Sequence, residues 1–338
     1  MKRIGFACTT INPRAQALVE TVSVWRHENL GPISLALDRK TPDPGECANS
    51  SEYIQHDSKP ETSFERLCPW DSYSRKNISF ARLARSGVDF IFETDDDNSV
   101  YGEGLVARID EALSFFESTE VLSPSEVSNI FSAVYNVSNK IWARGYPLYW
   151  LEREPVFHSN TNDCVAAGVI QFLVDGNPDV DAIYRLVFGN DFSLDSRNFD
   201  LPIYTFRNFH PFNSQATLWP RDQYPLMYLP SYCDFRMTDI WRSYIAQHVM
   251  YAYGNCVVYA PALVKQQRNE HLIYDDFFGE HEGYKKGLLL LNILDGIEVD
   301  SSQEKADSLL TIYSILVDKN FFDPKELVLL DAYLASIL

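Results

Sequence analysis

Short apolar runs alternate with stretches of helical spacing over the first hundred residues. Residues 4–8 read as a buried strand. Pro13 suits the first turn of a helix over about 14–25, and residues 33–37 form a second strand ended by Asp38. Residues 41–59 are rich in Pro, Ser, Asp and Gly and read as a loop. Residues 74–85 are helical in composition, with Gly87 as the stop. Residues 88–92 make a third strand that runs directly into Glu93-Thr94-Asp95-Asp96-Asp97-Asn98. This alternation predicts an α/β fold. Residues 104–142 read as mostly helical, with Ser123 as a cap and Pro124 in a first turn. Next come a strand over 165–174, a short helix over 178–185, and short β-like pieces over 201–232, broken by Pro202, Pro211, Pro220, Pro225 and Pro230. Residues 238–253 form a helix with Thr238 as its N-cap, and from about 261 the chain reads as helices. In the last of these regions Leu309, Ile312, Tyr313, Leu316 and Val317 keep helical spacing. The pattern divides the chain into residues 1–260 and a helical extension, 261–338, with no internal repeat.

With 46% hydrophobic and 22% charged residues the chain is globular rather than disordered. The net charge of −18 repels phosphate backbones and excludes general nucleic-acid binding, although a local basic site for one small anion remains compatible with it. Cys8, Cys47, Cys68, Cys164, Cys233 and Cys256 form no C-x-x-C pair, which speaks against zinc and for free thiols in a reducing, cytoplasmic setting. No apolar run reaches 18 residues, so no transmembrane segment is expected. The sequons at Asn49, Asn77 and Asn136 read as accidental.

The chemistry concentrates after the third strand. Three adjacent carboxylates repel one another, and a divalent cation commonly offsets this: magnesium takes one or two protein carboxylates, and manganese has the same oxygen preference. On an extended strand end Asp95 and Asp97 point the same way. One could hold a metal and the other a ribose hydroxyl or a metal-bound water; a solvated acidic turn is the plain alternative. The preceding helix starts with Arg75-Lys76-Asn77, and helix N-termini favour anions.

Arg75-Lys76-Asn77, Gly87, the strand over 88–92 and Asp95-Asp96-Asp97 together resemble the donor-site segment of GT-A glycosyltransferases. A closer resemblance is to the family of the plant STELLO proteins. It is carried by residues 73–77 and 93–98, Gly176-Asn177-Pro178-Asp179-Val180-Asp181, Pro211-Phe212-Asn213-Ser214-Gln215, Asp239-Ile240-Trp241-Arg242-Ser243-Tyr244 and Gln267-Arg268-Asn269-Glu270-His271. It spans about residues 1–285, leaving the last helices outside it. A weaker similarity runs to the reversibly glycosylated polypeptides, which are UDP-arabinopyranose mutases.

The resemblance implies a GT-A, Rossmann-like nucleotide-sugar-binding domain over 1–260, with a mixed central sheet. It implies a UDP-linked donor with Mn²⁺ or Mg²⁺, and a glycan or glycolipid acceptor. Asp97 would ligate the metal with His271 as second ligand, a place that Asp275, Asp276 or Glu280 could take instead. Asp95 and Asp96 would serve the donor, with Arg75, Lys76 and Asn77 near the nucleotide. Thr9, Thr10 and Asn12 would hold uracil or ribose, and Arg268 would clamp the pyrophosphate. Asp239 would be the base of an inverting transfer, although an Asp in a first helical turn is also a common cap. Asn213 and Gln215 suit sugar hydroxyls. Trp241 and Trp219 could stack on a sugar, although buried core tryptophan is the commoner fate. The other readings are a pyranose/furanose mutase, for which Arg153, Arg185 and Arg207 are candidates, and a non-catalytic scaffold. The apolar C-terminal helices could pack on the core or form a homodimer interface.

Overall fold

The computed structural model describes residues 2–41, 53–56, 60–116, 121–124, 129–135, 140–152, 157–160, 166–190, 192–196, 203–205, 209–266 and 272–337. The parallel first half follows the apolar runs: β1 (Ile4–Thr10), α1 (Gln16–His27), β2 (Ile33–Leu37), α3 (Lys76–Arg85) and β4 (Phe90–Thr94). The loop expected over 41–59 contains an edge strand, β3 (Tyr53–His56), and α2 (Ser63–Leu67) follows it. Next come β5 (Asn98–Val100), α4 (Leu105–Ser114), β6 (Val121–Pro124), α5 (Ile130–Val134) and β7 (Phe157–Asn160). The second half holds β8 (Ala166–Gly176), α6 (Ala182–Phe188), β9 (Ile203–Thr205), β10 (Ala216–Pro220), α7 (Thr238–Ala252) and β11 (Asn255–Gln266). Helices α8 (Ile273–Asp295), α9 (Lys305–Asp318) and α10 (Lys325–Ile337) end the chain.

Among the described residues nine strands form one mixed sheet in the order β3-β2-β1-β4-β10-β8-β11-β5, with β9 also on β11. Neighbours from β3 to β4 are parallel, as are β8 and β11, whereas β10 runs antiparallel to both β4 and β8. The carboxyl ends of β1, β2, β4, β8 and β11 therefore share one edge with the start of β10. Ligands of open α/β sheets bind at such an edge.

Side-chain alternation splits the core between the two faces. Phe90 and Phe92 of β4 join Phe6 and Trp25 on one side, where Trp25 stacks on Phe92 at 5.5 Å; Ile91 joins Phe80, Leu83 and Trp219 on the other. The C-terminal helices complete this second face. Leu290, Leu294, Ile312, Leu316, Leu330 and Tyr333 belong to the same cluster as Phe80. Buried Glu326 of α10 accepts hydrogen bonds from Tyr228 Oη at 2.7 Å, Ser231 N at 2.6 Å and Tyr232 N. These helices pack on their own chain, and residue 260, the expected division, falls inside β11.

Two local expectations need correction. Residues 121–124 are not a helix start but β6, paired antiparallel with β7. Pairing with a segment more than thirty residues away overrides local helical composition there, and Pro124 sits in a two-stranded ribbon, where each strand is an edge strand and proline is tolerated. Thr238 is the first residue of α7 rather than its cap, which is Met237; the Thr238 hydroxyl donates back to Asp234 O at 3.3 Å. Among the described residues no helix is long and apolar enough to cross a membrane.

Candidate active site

A cleft of about 550 Å³ opens at the carboxyl edge of the sheet. Its floor is the turn after β4. Thr94 Oγ1 and Asn98 Nδ2 both donate to Gln215 O, at 2.6 and 3.3 Å, so the two ends of the Asp95-Asp96-Asp97 turn are pinned to the segment that leads into β10. All three carboxylates are half-buried and line the cleft. Lys76, fully buried at the start of α3, donates to Asp95 Oδ1 at 2.5 Å and to Tyr73 Oη at 2.7 Å; Tyr73 in turn donates to Asp95 at 2.7 Å. Burial pulls the Lys76 ammonium down, but Asp95 and then Glu93 more than offset it, so it is held above its ordinary range. Thr10 Oγ1 donates to Asp96 Oδ2 at 2.5 Å. Gln266 Nε2 donates to Asp97 Oδ2 at 2.8 Å. Gly176, at φ 85°, allows this last contact: a Cβ there would lie 2.5 Å from Gln266 O, so only glycine lets the ends of β8 and β11 close up.

Burial raises the Asp96 carboxyl above the usual range, the Thr10 hydrogen bond pulls it down, and neighbouring Asp95 pushes it up again. Asp96 and Asp97 thus offer hard oxygen donors on the cleft. They fit an ion of the magnesium or manganese kind, which takes one or two protein carboxylates and completes its shell with phosphate and water. No group of three or more His, Cys, Asp or Glu able to hold a metal occurs among the described residues.

The opposite wall is built differently. Arg144 donates from Nη1 and Nη2 to the two oxygens of Asp239, at 2.9 and 3.0 Å, and from Nε to Asp179 Oδ2 at 2.6 Å. Asp239, in the first turn of α7, also accepts from Ser214 N at 3.2 Å and Ile240 N at 3.0 Å. Arg236 reaches Asp179 Oδ1 at 3.4 Å and Glu280 Oε1 at 2.6 Å, with Asp276 at 3.6 Å. Gly279 lets α8 approach: a Cβ there would lie 2.7 Å from Arg236 Cγ. Phe235, 61% exposed, completes this wall.

The family model of STELLO glycosyltransferases matches residues 236–338. The chain is 25% identical over 243 residues to the Arabidopsis thaliana protein described as "Probable glycosyltransferase STELLO2". The chain is similar to the STELLO glycosyltransferases. The alignment covers 66% of this chain and 31% of that relative, so the chain spans about a third of the relative's length. The STELLO match includes Arg236 and Asp239 and runs through α8, α9 and α10, beyond the residue 285 at which the sequence resemblance stopped. Among solved structures, glucosyl-3-phosphoglycerate synthase from Mycobacterium tuberculosis with Mn²⁺, UDP and phosphoglyceric acid is 9% identical, with a TM-score of 0.42 over 88% of this chain and 80% of that one. Its complex with glucosyl-3-phosphoglycerate is 10% identical, with a TM-score of 0.41 over 88% and 82%.

Against this STELLO-like background, Thr9, Thr10, Asp95, Asp96, Asp97, Gln215 and Asp239 come together on the cleft. Lys76 reaches it through Asp95. Arg75 is buried and turned toward β2: its Nε donates to Leu37 O at 2.9 Å, Asp38 lies 3.6 Å away, and Trp70 stacks on its guanidinium. Asn77 exchanges two hydrogen bonds with the Leu229 backbone, at 2.8 Å each. Asn12 is exposed, with its N–H on Thr10 Oγ1. Asn213 Nδ2 donates to Gln215 Oε1 at 3.1 Å. Trp241 packs in the core against Phe321 and Tyr244, and Trp219 Nε1 donates to buried Glu93. Asp276 and Glu280 hold Arg236. Arg185 clasps its own loop through Val180 O and Asn177 Oδ1. Arg268, His271, Arg153 and Arg207 lie outside the described residues. Arg144, Arg236, Phe235 and Gln266 were not singled out. Arg144 sits in no periodic element, and its partners lie 35 and 95 residues away in sequence.

Proposed function

We propose that this chain is a metal-dependent glycosyltransferase that takes a UDP-linked sugar as donor and transfers it with inversion. The observation that carries the reading is the Asp95-Asp96-Asp97 turn at the carboxyl end of β4, lining a 550 Å³ cleft beside a buried lysine. The similarity to the STELLO glycosyltransferases supports it. Asp97, with Asp96 beside it, would hold Mn²⁺ or Mg²⁺. The ion, when bound, supplies positive charge to the departing diphosphate. Thr9 and Thr10 at the end of β1 would hold ribose and base, and Lys76 fixes Asp95 on the same cleft. The free thiols of Cys8, Cys68, Cys233 and Cys256 agree with a reducing, cytoplasmic setting.

Asp239 is the base of this reading. A carboxylate has about four lone-pair sites. Arg144, Ser214 N and Ile240 N occupy them, so one of these hydrogen bonds gives way as the acceptor hydroxyl arrives. The proton then passes from that hydroxyl to the carboxylate oxygen as the hydroxyl attacks.

The test is a thermal-shift screen of nucleotides and nucleotide sugars with and without Mn²⁺. Ligand at about 100 times its dissociation constant stabilises by roughly 2.7 kcal/mol. A shift that requires both UDP and the metal is the expected result. No shift with any nucleotide favours the scaffold reading.

A further inference from the structure

We infer that the acceptor end of the cleft takes an uncharged sugar rather than a phosphorylated or carboxylated one, and that Phe235 is the platform for its ring. The inference rests on the donor reading above and adds the acceptor class. Phe235 lies in the turn before α7, four residues ahead of Asp239, and its ring is 61% exposed where it lines the cleft. The two tryptophans offered by the sequence are buried, so they present no face to a ligand. An aromatic face left open beside a polar cavity suits the C–H face of a pyranose, because one side of the ligand is apolar and its rim is wet.

Charge selects against an anion. Arg144 and Arg236 meet Asp179, Asp239, Asp276 and Glu280, two positive groups against four negative, a balance of −2. Both guanidiniums are already engaged by buried carboxylates. A phosphate competing for them would face the four carboxylates gathered round them, and any carboxylate it displaced would be left buried without its partner. A sugar hydroxyl takes the place of one backbone N–H on Asp239 and leaves the guanidinium where it is. It donates to a carboxylate edge and accepts from an amide such as that of Gln215, which lines the same cleft.

The experiment offers glucose, galactose and mannose, each beside its phosphate ester, with UDP-glucose, UDP-galactose and UDP-xylose as donors and UDP release as the readout. The unphosphorylated member of each pair is expected to be the better acceptor. Phe235→Ala is expected to raise the acceptor KM by on the order of tenfold, about the contribution of one ring contact, with a smaller change in kcat. Phe235→Tyr is expected to restore the KM. A phosphate ester used better than its parent sugar overturns the inference, as does an acceptor KM that Phe235→Ala leaves unmoved. The UDP–Mn²⁺ thermal shift is read on the same samples. Its absence from the unsubstituted protein counts against the donor reading; its presence beside either overturning result counts against the acceptor inference alone.

Discussion

Two sets of carboxylates face each other across one cleft, and the fold treats them in opposite ways. Asp179 and Asp239 have side chains about 5% exposed, and a guanidinium is forked onto both. Asp95 is 24% exposed, and Asp96 and Asp97 share its half-buried state, with a hydroxyl and an amide as their described hydrogen-bond partners. In the first set the counter-charge is built into the chain; in the second, the described ion pair is that of Lys76 with Asp95. A buried pair with fixed partners gives geometry more than stability. A half-exposed cluster of carboxylates on a cleft is suited to receiving positive charge from outside. In the proposed reading, the contrast separates the wall that would shape the acceptor end from the edge that would meet the donor.

The largest expected effect comes from breaking the built-in counter-charge. Arg144→Leu leaves Asp179 and Asp239 buried without the fork they share. Removing one partner of a buried ion pair costs about 3–5 kcal/mol. Urea unfolding at neutral pH should show a loss of that size. A loss below about 1 kcal/mol would mean that water reaches these carboxylates, and the contrast between the two walls would shrink accordingly.

A second, smaller effect is pH-dependent and lies behind the same wall. Asp181 caps α6 through Ile183 N at 2.8 Å and shares Tyr284 Oη with Glu280, which in turn holds Arg236. Burial, and then Glu280, push the Asp181 carboxyl up. An acid raised in the folded state binds its proton more tightly there than in the unfolded chain. Its stabilising contribution is complete below the unfolded carboxylate value, near 4, and is lost as pH rises through the folded one. Asp181→Asn keeps the cap acceptor and removes this dependence. It should stabilise by about 1–2 kcal/mol at roughly pH 8 and by little at roughly pH 5. An equal effect at both values would show that Asp181 carries no extra proton.

The difference between the walls also marks how far the sequence was legible. The donor edge could be read because local signals coincide there: an apolar run, then consecutive acids, preceded by a basic helix start. The opposite wall could be read only in part: Asp179, Asp239 and Glu280 lie in segments the sequence offered, but Arg144 and Arg236, which tie them together, meet them only through tertiary packing. Periodicity reported β1, β2, α3, β4 and α7 because each buries a stripe or a face. It missed β3 and β6, whose pairing is set by a neighbouring strand rather than by their own composition. The same limit applies to aromatic residues. Composition offers Trp219, Trp241 and Phe235 alike, and only packing separates them: Trp241 lies against Phe321 and Tyr244, whereas Phe235, in the turn before α7, stays open.

The smallest expected change in stability belongs to the donor edge itself. Asp97→Ala removes the acceptor of one Gln266 hydrogen bond, a net loss of about 1 kcal/mol. It also removes one of three adjacent acids, a gain of similar size and opposite sign at this half-exposed position. The melting temperature of the free protein should therefore stay nearly unchanged or rise slightly, while the metal-dependent shift with UDP disappears. That pair of outcomes is what a ligand-facing carboxylate produces. A large fall in the melting temperature instead would place Asp97 with Asp179 and Asp239, as a carboxylate whose partners are already built in, and the donor edge would then need another residue to meet the ion.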